Sequence, residues 1–361
     1  MSLSVLALVP YPPDGASARY RAYQMVEPLA SLGVRMVVRP LLDEAGFATL
    51  YRHGSPAAKL WHLARGCRRR WNELSESGHH DLTLVHREVW PFLGLAPLHR
   101  LAAHQPRWVF DFDDSVWLPN VSDANRAFAW LKPSVQYSRL AAGARAVSAG
   151  NEWLARWARE QRPGRDASEV AVIPTAVDTA RWAPRPRHDG PPRLVWIGSH
   201  STVHYLEPLR PLLPGLASRH PGLELHVIGA RFSCERVRVV EHAWSAEREV
   251  EATAVCDVGL APLPDDPWTR GKCGLKLLLY MALGLPAVAS RVGVQADIVR
   301  DGVNGRLVDT NEEFIGAIDG LLADAVERRR LGAAARAEVE TRYSVGAVAP
   351  KLAALFERSV S

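Results

Sequence analysis

Short apolar runs alternate with segments of helical period along the whole chain. "LSVLALVP", "VRMVVRP", "LTLVH", "RWVFDFDD", "ARAVSAG" and "VAVIPT" read as strands in the first half, and "RLVWIGS", "LELHVIGA", "VGLAPL", "PAVAS" and "GRLV" in the second. Between them lie amphipathic stretches such as "ARYRAYQMVEPLASLG" and "EREVEATAVCD". When a helix follows each strand, successive strands pair in parallel through helical crossovers. The chain is expected to be α/β, built from doubly wound parallel sheets.

At 361 residues it is long enough for two cores. The proline-, glycine- and charge-rich segment "WAPRPRHDGPPR" at 182–193 is the linker candidate. The expected division is a domain over 1–185, a second over 190–342, and a terminal helix over 343–361. No apolar run reaches the ~18 residues of a membrane span. "MSLSVLALVPYPPDG" lacks a basic leader and a small-residue cleavage site, so it reads as a first strand and loop. Cys67, Cys234, Cys256 and Cys273 form no C-x-x-C pair, which supports neither a disulfide framework nor a zinc site and points to a reducing cytoplasm. A formal charge of +5 suits an acidic substrate or an anionic membrane surface. It is too small to argue for nucleic acid, and no nucleic-acid signature is present.

In such sheets, ligands bind beyond the carboxyl ends of the strands. The loops there include "PYPPDGASARYR", "HREVWPFLG", "DFDDSVW", "GSHSTVHYL" and "PDDPWTRGKCG". The last leads into "LKLLLYMALG", a helix with little polar surface: Leu275, Leu278, Leu279 and Ala282 share one face, and Leu277 and Met281 add a second. Yet Lys272 precedes it and Lys276 sits in its first turn, where the helix dipole favours carboxylates. A phosphate resolves the conflict. Free N–H groups at Gly274, Leu275 and Lys276 would point at it from the turn that holds Cys273, and two ammonium groups would neutralise a diphosphate leaving group. The alternative is that both lysines simply reach solvent. Gly198 and Ser199 open a second candidate loop, in which Ser199 to Thr202 precede a helix and either cradle a phosphate or cap the helix. In the first loop, Gly15 lets the chain turn closely and Arg19 opens a helix.

Taken together these segments resemble the GT-B glycosyltransferases, specifically the large family four (group 1) of retaining enzymes. The resemblance covers nearly the whole chain. It is most specific in "KCGLKLLLYMALGLPAVAS" followed by "GVQADIVRDGVNGRLV", with support from "PYPPDGASARYR", "VIPTAVDTARW" and "ARAEVETRYS". It implies two Rossmann-like domains facing a cleft, a nucleotide-sugar donor in the C-terminal domain and an acceptor mainly in the N-terminal one. It also implies no metal or other cofactor, and a last helix, "VGAVAPKLAALFERSV", that packs back on the first domain. The sequence departs from the family where many members carry two glutamates: those places hold Gly271 and Leu279. The family's frequent arginine and lysine after the first strand of the C-terminal domain are also missing, and Lys272 and Lys276 are the replacements at hand.

"VFDFDDSVW" ends a strand with Asp111, Asp113 and Asp114, whose mutual repulsion suggests a role. A D-x-D pair can hold a divalent metal. The resemblance instead places Asp113 or Asp114 near a position that contacts the transferred sugar, with Asp111 beside it. The competing reading pairs the acids with Arg107 or makes them caps. Arg87 and Glu88 are candidates for acceptor or sugar hydroxyls, or form a surface ion pair. Trp244 stacks on the donor base or packs in the core. Ser148 and Asn151 read as helix caps. "KLWHLARGCRRRWNEL" places Leu60, Leu63, Cys67, Trp71 and Leu74 on one helical face, with Lys59, Arg65, Arg68, Arg69 and Arg70 on the remainder. Such a helix either rests on an anionic membrane surface or packs on the sheet.

The function expected is a cytoplasmic, metal-independent retaining hexosyltransferase of polysaccharide biosynthesis, acting on a glycan, lipid-linked or small-molecule hydroxyl, and peripheral at the inner membrane face only if the 59–74 basic helix rests on lipid. Asp113, Asp114 and Lys276 are its catalytic candidates. The rivals are a nucleotide-sugar epimerase or hydrolase, and a non-catalytic binding or partner subunit motivated by Gly271 and Leu279.

Overall fold

The computed structural model describes residues 2–50, 56–92, 94–118, 134–186 and 189–361. Its contacts divide the chain into two compact units, Met1–Ala176 with Val345–Ser361, and Val177–Ser344.

The first unit contains β1 (Leu3–Val9), β2 (Val34–Pro40), β3 (Leu82–His86), β4 (Trp108–Phe112), β5 (Ala146–Ala149) and β6 (Val170–Val172), in the order β2-β1-β3-β4-β5-β6. All pairings are parallel. The order reverses between β1 and β3, where a doubly wound sheet opens a crevice. The helix Val345–Val360 buries Val348, Leu352, Leu355 and Phe356 in the core that holds Val5, Leu82 and Val109. Each such fully buried side chain contributes about 1.5–3 kcal/mol.

The second unit contains β7 (Arg193–Ile197), β8 (Glu224–Ile228), β9 (Arg238–His242), β10 (Val258–Ala261), β11 (Ala287–Ser290) and β12 (Arg306–Val308), in the order β12-β11-β10-β7-β8-β9. It too is parallel throughout, and its order reverses between β7 and β10. Strand β9 escapes the sequence pattern. It lies at an edge with no residue fully buried, so neither an apolar run nor a clean alternation marks it. Val177 and Ser344, the first and last residues of this unit, pair in a β-bridge.

The linker expectation needs correction. The stretch 182–193 starts inside the second unit, because Trp182 is fully buried and its carbonyl accepts a 2.7 Å bond from Arg336. The chain passes between units at Ala176–Val177 and Ser344–Val345 instead.

The helix Pro56–Glu76 also turns differently from its sequence reading. Its inner face carries Gly66, Cys67, Arg70, Glu73 and Leu74, whereas Leu60 and Trp71 point outward. Arg70 reaches carbonyls at the ends of strands, donating to Val9 at 2.9 Å and Arg39 at 3.0 Å, and pairs with Glu73 at 2.9 Å. Arg69 donates to the carbonyls of Pro40 and Leu41. A Cβ on Gly66 would stand 2.3 Å from the Leu41 carbonyl oxygen, so only glycine allows this approach. Among the described residues, no helix is long and apolar enough to cross a membrane.

Candidate functional site

In the second unit the candidate site is built where β7 and β10 diverge. The loop after β10 is braced from within: the Asp266 carboxylate accepts from the amides of Trp268 and Thr269 at 2.8 Å, and the Thr269 hydroxyl donates to the Pro264 carbonyl at 2.6 Å. It leads into the helix Leu275–Ala282, whose N-cap is Gly274 in the left-handed conformation (φ 70°, ψ 16°). Gly274 has no side chain to cap that end and no carboxylate lies in its first turn, so among the described residues no cap meets the first amides, which the helix itself cannot satisfy. A Cβ at 274 would meet Ile298 Cδ1 at 2.4 Å, which requires glycine twice over. Residues Leu277 to Ala282 are all buried. The Tyr280 hydroxyl ties the helix to both strands of the switch point, accepting from Ile197 N–H at 2.9 Å and donating to the Leu260 carbonyl at 3.3 Å.

Both lysines rest on tryptophan rings. Lys276 Nζ stands 3.9 Å from the centroid of Trp196, and Lys272 Nζ 5.0 Å from that of Trp268. Among the described residues, no carboxylate pairs with Lys276. Burial, and after it the charge of Lys272, pushes the Lys276 ammonium well below the ordinary lysine range. Cys273 is buried, with its thiol toward the Gly271 carbonyl at 3.7 Å, and Leu275 is half-buried at the helix start.

The loop after β7 departs from expectation. Ser199 to Thr202 lead into 3-10 turns at Val203–Tyr205 and Glu207–Leu209, and an α-helix begins only at Leu213. Prolines at 208, 211 and 214 withhold the amides a longer helix needs. The amide of Gly198 is spent on Ile228 O (2.9 Å) and that of Ser199 on Thr202 Oγ1 (3.0 Å), so neither is free for a phosphate. What Gly198 supplies is space: a Cβ there would stand 2.1 Å from the buried Trp196 ring. A Cβ added to Gly229, after β8, would stand 2.2 Å from the Gly198 carbonyl oxygen, and half-buried Trp244 packs beside it. The residues sequence reasoning missed here are Trp196 and Trp268. Trp196 lies inside a strand and carries no local signal of contact with a lysine on a distant helix.

In the first unit, the ends of β3 and β4, the segments just after them and the helix Ala16–Arg21 after β1 bring together Ser17, His86, Arg87 and the three aspartates. Asp111 does not face a ligand. Only 2% exposed, it accepts from Arg21, from Ser148 Oγ at 2.6 Å and from His86 Nδ1 at 2.7 Å. Ser148 therefore serves Asp111 and is no helix cap, whereas Asn151 does cap Glu152–Glu160 through the Leu154 amide at 2.9 Å. Burial alone would raise the Asp111 carboxyl, but Arg21 and His86 hold it well below the carboxylate range. Asp113 accepts from Ser17 Oγ at 2.8 and 2.9 Å and from Arg87 Nε at 2.7 Å, and Asp114 accepts from Arg87 at 2.8 Å. The acids thus pair with Arg21 and Arg87, not with Arg107. Arg87 is not a surface partner of Glu88, which accepts from the Tyr137 hydroxyl at 3.2 Å. Arg87 adopts φ 63°, uncommon for a residue with a side chain, and this turn aims its guanidinium at both aspartates.

Ser17 Oγ also lies 2.6 Å from His86 Nε2, completing a chain Asp111–His86–Ser17–Asp113–Arg87–Asp114. Gly15 is buried against Tyr11, which a Cβ would overlap at 2.5 Å, and the Arg19 guanidinium lies 4.9 Å from the Tyr20 ring. His86, Ser17 and Arg21 were missed. Only the strand-end position of His86 marks it in the sequence. Among the described residues, no group of three His, Cys, Asp or Glu side chains is disposed to hold a metal ion.

Residues 191–324 match the family described as glycosyl transferases group 1. A phosphatidyl-myo-inositol mannosyltransferase of Mycolicibacterium smegmatis is 29% identical over 216 residues, covering 56% of this chain and 54% of that protein. The chain thus spans about half the length of that curated relative. Among solved structures, HepE of Anabaena in complex with UDP and glucose superimposes with a TM-score of 0.68 at 17% identity, over 98% of both chains. Sucrose-phosphate synthase from Thermosynechococcus elongatus gives 0.69 at 16% identity, also over 98% of both. The second unit is therefore a group 1 glycosyl transferase domain, in a chain whose two parallel sheets give it the GT-B fold.

Proposed function

We propose that this protein is a retaining, metal-independent glycosyltransferase that moves a sugar from a nucleoside diphosphate sugar to a hydroxyl acceptor in the cytoplasm. The observation that carries the proposal is the uncapped start of Leu275–Ala282, with Lys272 and Lys276 beside it and no acid in its first turn. First-turn amides and two ammonium groups form a receptor for a diphosphate, and the β7/β10 switch point is where a parallel sheet receives a nucleotide. Lys276, held on Trp196, would stabilise the charge that grows on the leaving diphosphate. Trp244, half-buried in the loop after β9, offers a face for the donor base. HepE has been solved with UDP and glucose, which supports a nucleotide-sugar donor. In the first unit, Arg87 with Asp113 and Asp114 supplies a charged surface for sugar or acceptor hydroxyls.

A non-catalytic binding subunit is the second reading, favoured by the absence of carboxylates at Gly271 and Leu279. Leu279 is fully buried and can offer no ribose contact. One assay separates them. The protein is incubated with UDP-, GDP- and dTDP-sugars, and nucleotide release is followed with and without hydroxyl acceptors. Acceptor-dependent release supports transfer, acceptor-independent turnover marks a hydrolase or epimerase, and binding without release marks the subunit.

A further inference from the structure

We propose that the side-chain amine of Lys276 is a site of reversible carbamylation by carbon dioxide. Everything around that amine favours a negative group over a positive one. Lys276 lies in the first turn of Leu275–Ala282, where the helix dipole is positive, and a helical side chain leans back over the turn before it, toward that end. There the amides of Gly274, Leu275 and Lys276 meet no acceptor among the described residues, and no carboxylate lies in the turn. Lys272, seated on Trp268, adds a second positive charge. The Trp196 ring, 3.9 Å from Nζ, steadies an ammonium without the proton-retaining pull of a carboxylate. Half-buried Lys276 therefore gives up its proton more readily than a surface lysine, as burial and the charge of Lys272 both require.

A deprotonated amine in water that contains bicarbonate has an electrophile at hand. The Nζ lone pair attacks the carbon of CO2, and the N–C bond forms as one C=O π pair moves onto oxygen. The proton that Nζ sheds passes to water, so that R–NH2 + CO2 → R–NH–COO− + H+. The product reverses the electrostatics. Its carboxylate is an anion at a helix start, where first-turn N–H groups and the Lys272 ammonium receive it. The groups that oppose the ammonium thus stabilise the carbamate. A nucleoside diphosphate competes for the same groups, and its charge returns Lys276 to the ammonium form, so modification and donor exclude one another. That exclusion rests on the proposed donor site, whereas the modification itself does not.

The test is to equilibrate the full chain with bicarbonate in mildly alkaline buffer, trap carbamates with triethyloxonium ion, and locate the ethyl carbamate by peptide mass spectrometry. Label is expected on Lys276 severalfold above that on exposed Lys351. It should fall in Lys272→Gln, which both restores the Lys276 proton and removes the counter-ion, with unchanged thermal unfolding. Label on Lys276 no greater than on Lys351, or unmoved by Lys272→Gln, overturns the inference. By calorimetry at matched ionic strength, UDP affinity should drop about threefold when two-thirds of the chains are modified. UDP that binds in bicarbonate-free buffer while Lys276 never takes label sinks the modification and spares the donor site. Label that saturating UDP leaves in place keeps the modification and sinks the donor site.

Discussion

The ammonium of Lys276 stands 3.9 Å above the ring of Trp196, a residue inside strand β7 with no surface exposed. The ring holds the charge in place without neutralising it, as a carboxylate would. That leaves its full attraction for an incoming anion.

Lys276→Ala should therefore weaken binding of a nucleoside diphosphate by roughly ten- to hundredfold, the loss of one charge-assisted bond. Calorimetry measures it, and an unchanged affinity removes Lys276 from the site. Because burial and then Lys272 lower its pKa, the wild-type affinity should decline with rising pH before an ordinary lysine, at ~10.4, would titrate. Lys272→Ala removes one cause of that lowering and should move the decline to higher pH.

Gly274→Ala places a Cβ 2.4 Å from Ile298 Cδ1 at a left-handed position. A cost of about 1–3 kcal/mol is expected from the strain, read as a lower urea midpoint at unchanged slope. Adding Ile298→Val deletes the clashing methyl and should recover part of it, while the φ of 70° keeps the rest.

Arg21→Met leaves Asp111 buried without its guanidinium, and the second variant Asp111→Asn removes the stranded charge. The single change should cost about 3–5 kcal/mol, and the double less than the single. Equilibrium unfolding of the three proteins gives the coupling. Equal losses in the single and double variants would show that the pair is not what holds Arg21.

Acid should act on the same network. Burial favours the neutral form of Asp111 and Asp113, but Arg21 with His86 at the first, and Arg87 with His86 at the second, keep both carboxyls below their ordinary range. A depressed carboxyl stabilises the fold fully above its unfolded pKa of ~3.9 and loses that stabilisation as pH falls through its folded value. Stability should be flat above about pH 5 and fall below about pH 4, less steeply in Asp113→Asn.

Much of this was legible in local pattern. Strand runs, helix starts, the glycine before a greasy helix and the lysines around it all follow from residues within a few positions of one another, where periodicity and capping act. Strand β9 was not legible, because an exposed edge strand buries too little to leave a pattern. The aspartates stood out as repelling charges, but the arginines that pair with them come from distant segments, Arg21 from a helix and Arg87 from a turn. The turn that aims Arg87 is a backbone conformation its side chain does not announce.

By itself the sequence determined the α/β class, the parallel sheets and the cationic start of one buried helix, since each depends on short-range spacing. Only the tertiary structure decided the strand order, the seat of Lys276 on Trp196 and the burial of Asp111. It alone also turned Arg70 inward while Leu60 and Trp61 faced out. The physical reason is the same in each case. A charged group is buried only where partners await it, and Arg70 finds its own at Val9, Arg39 and Glu73, on segments that meet only when the sheet has formed.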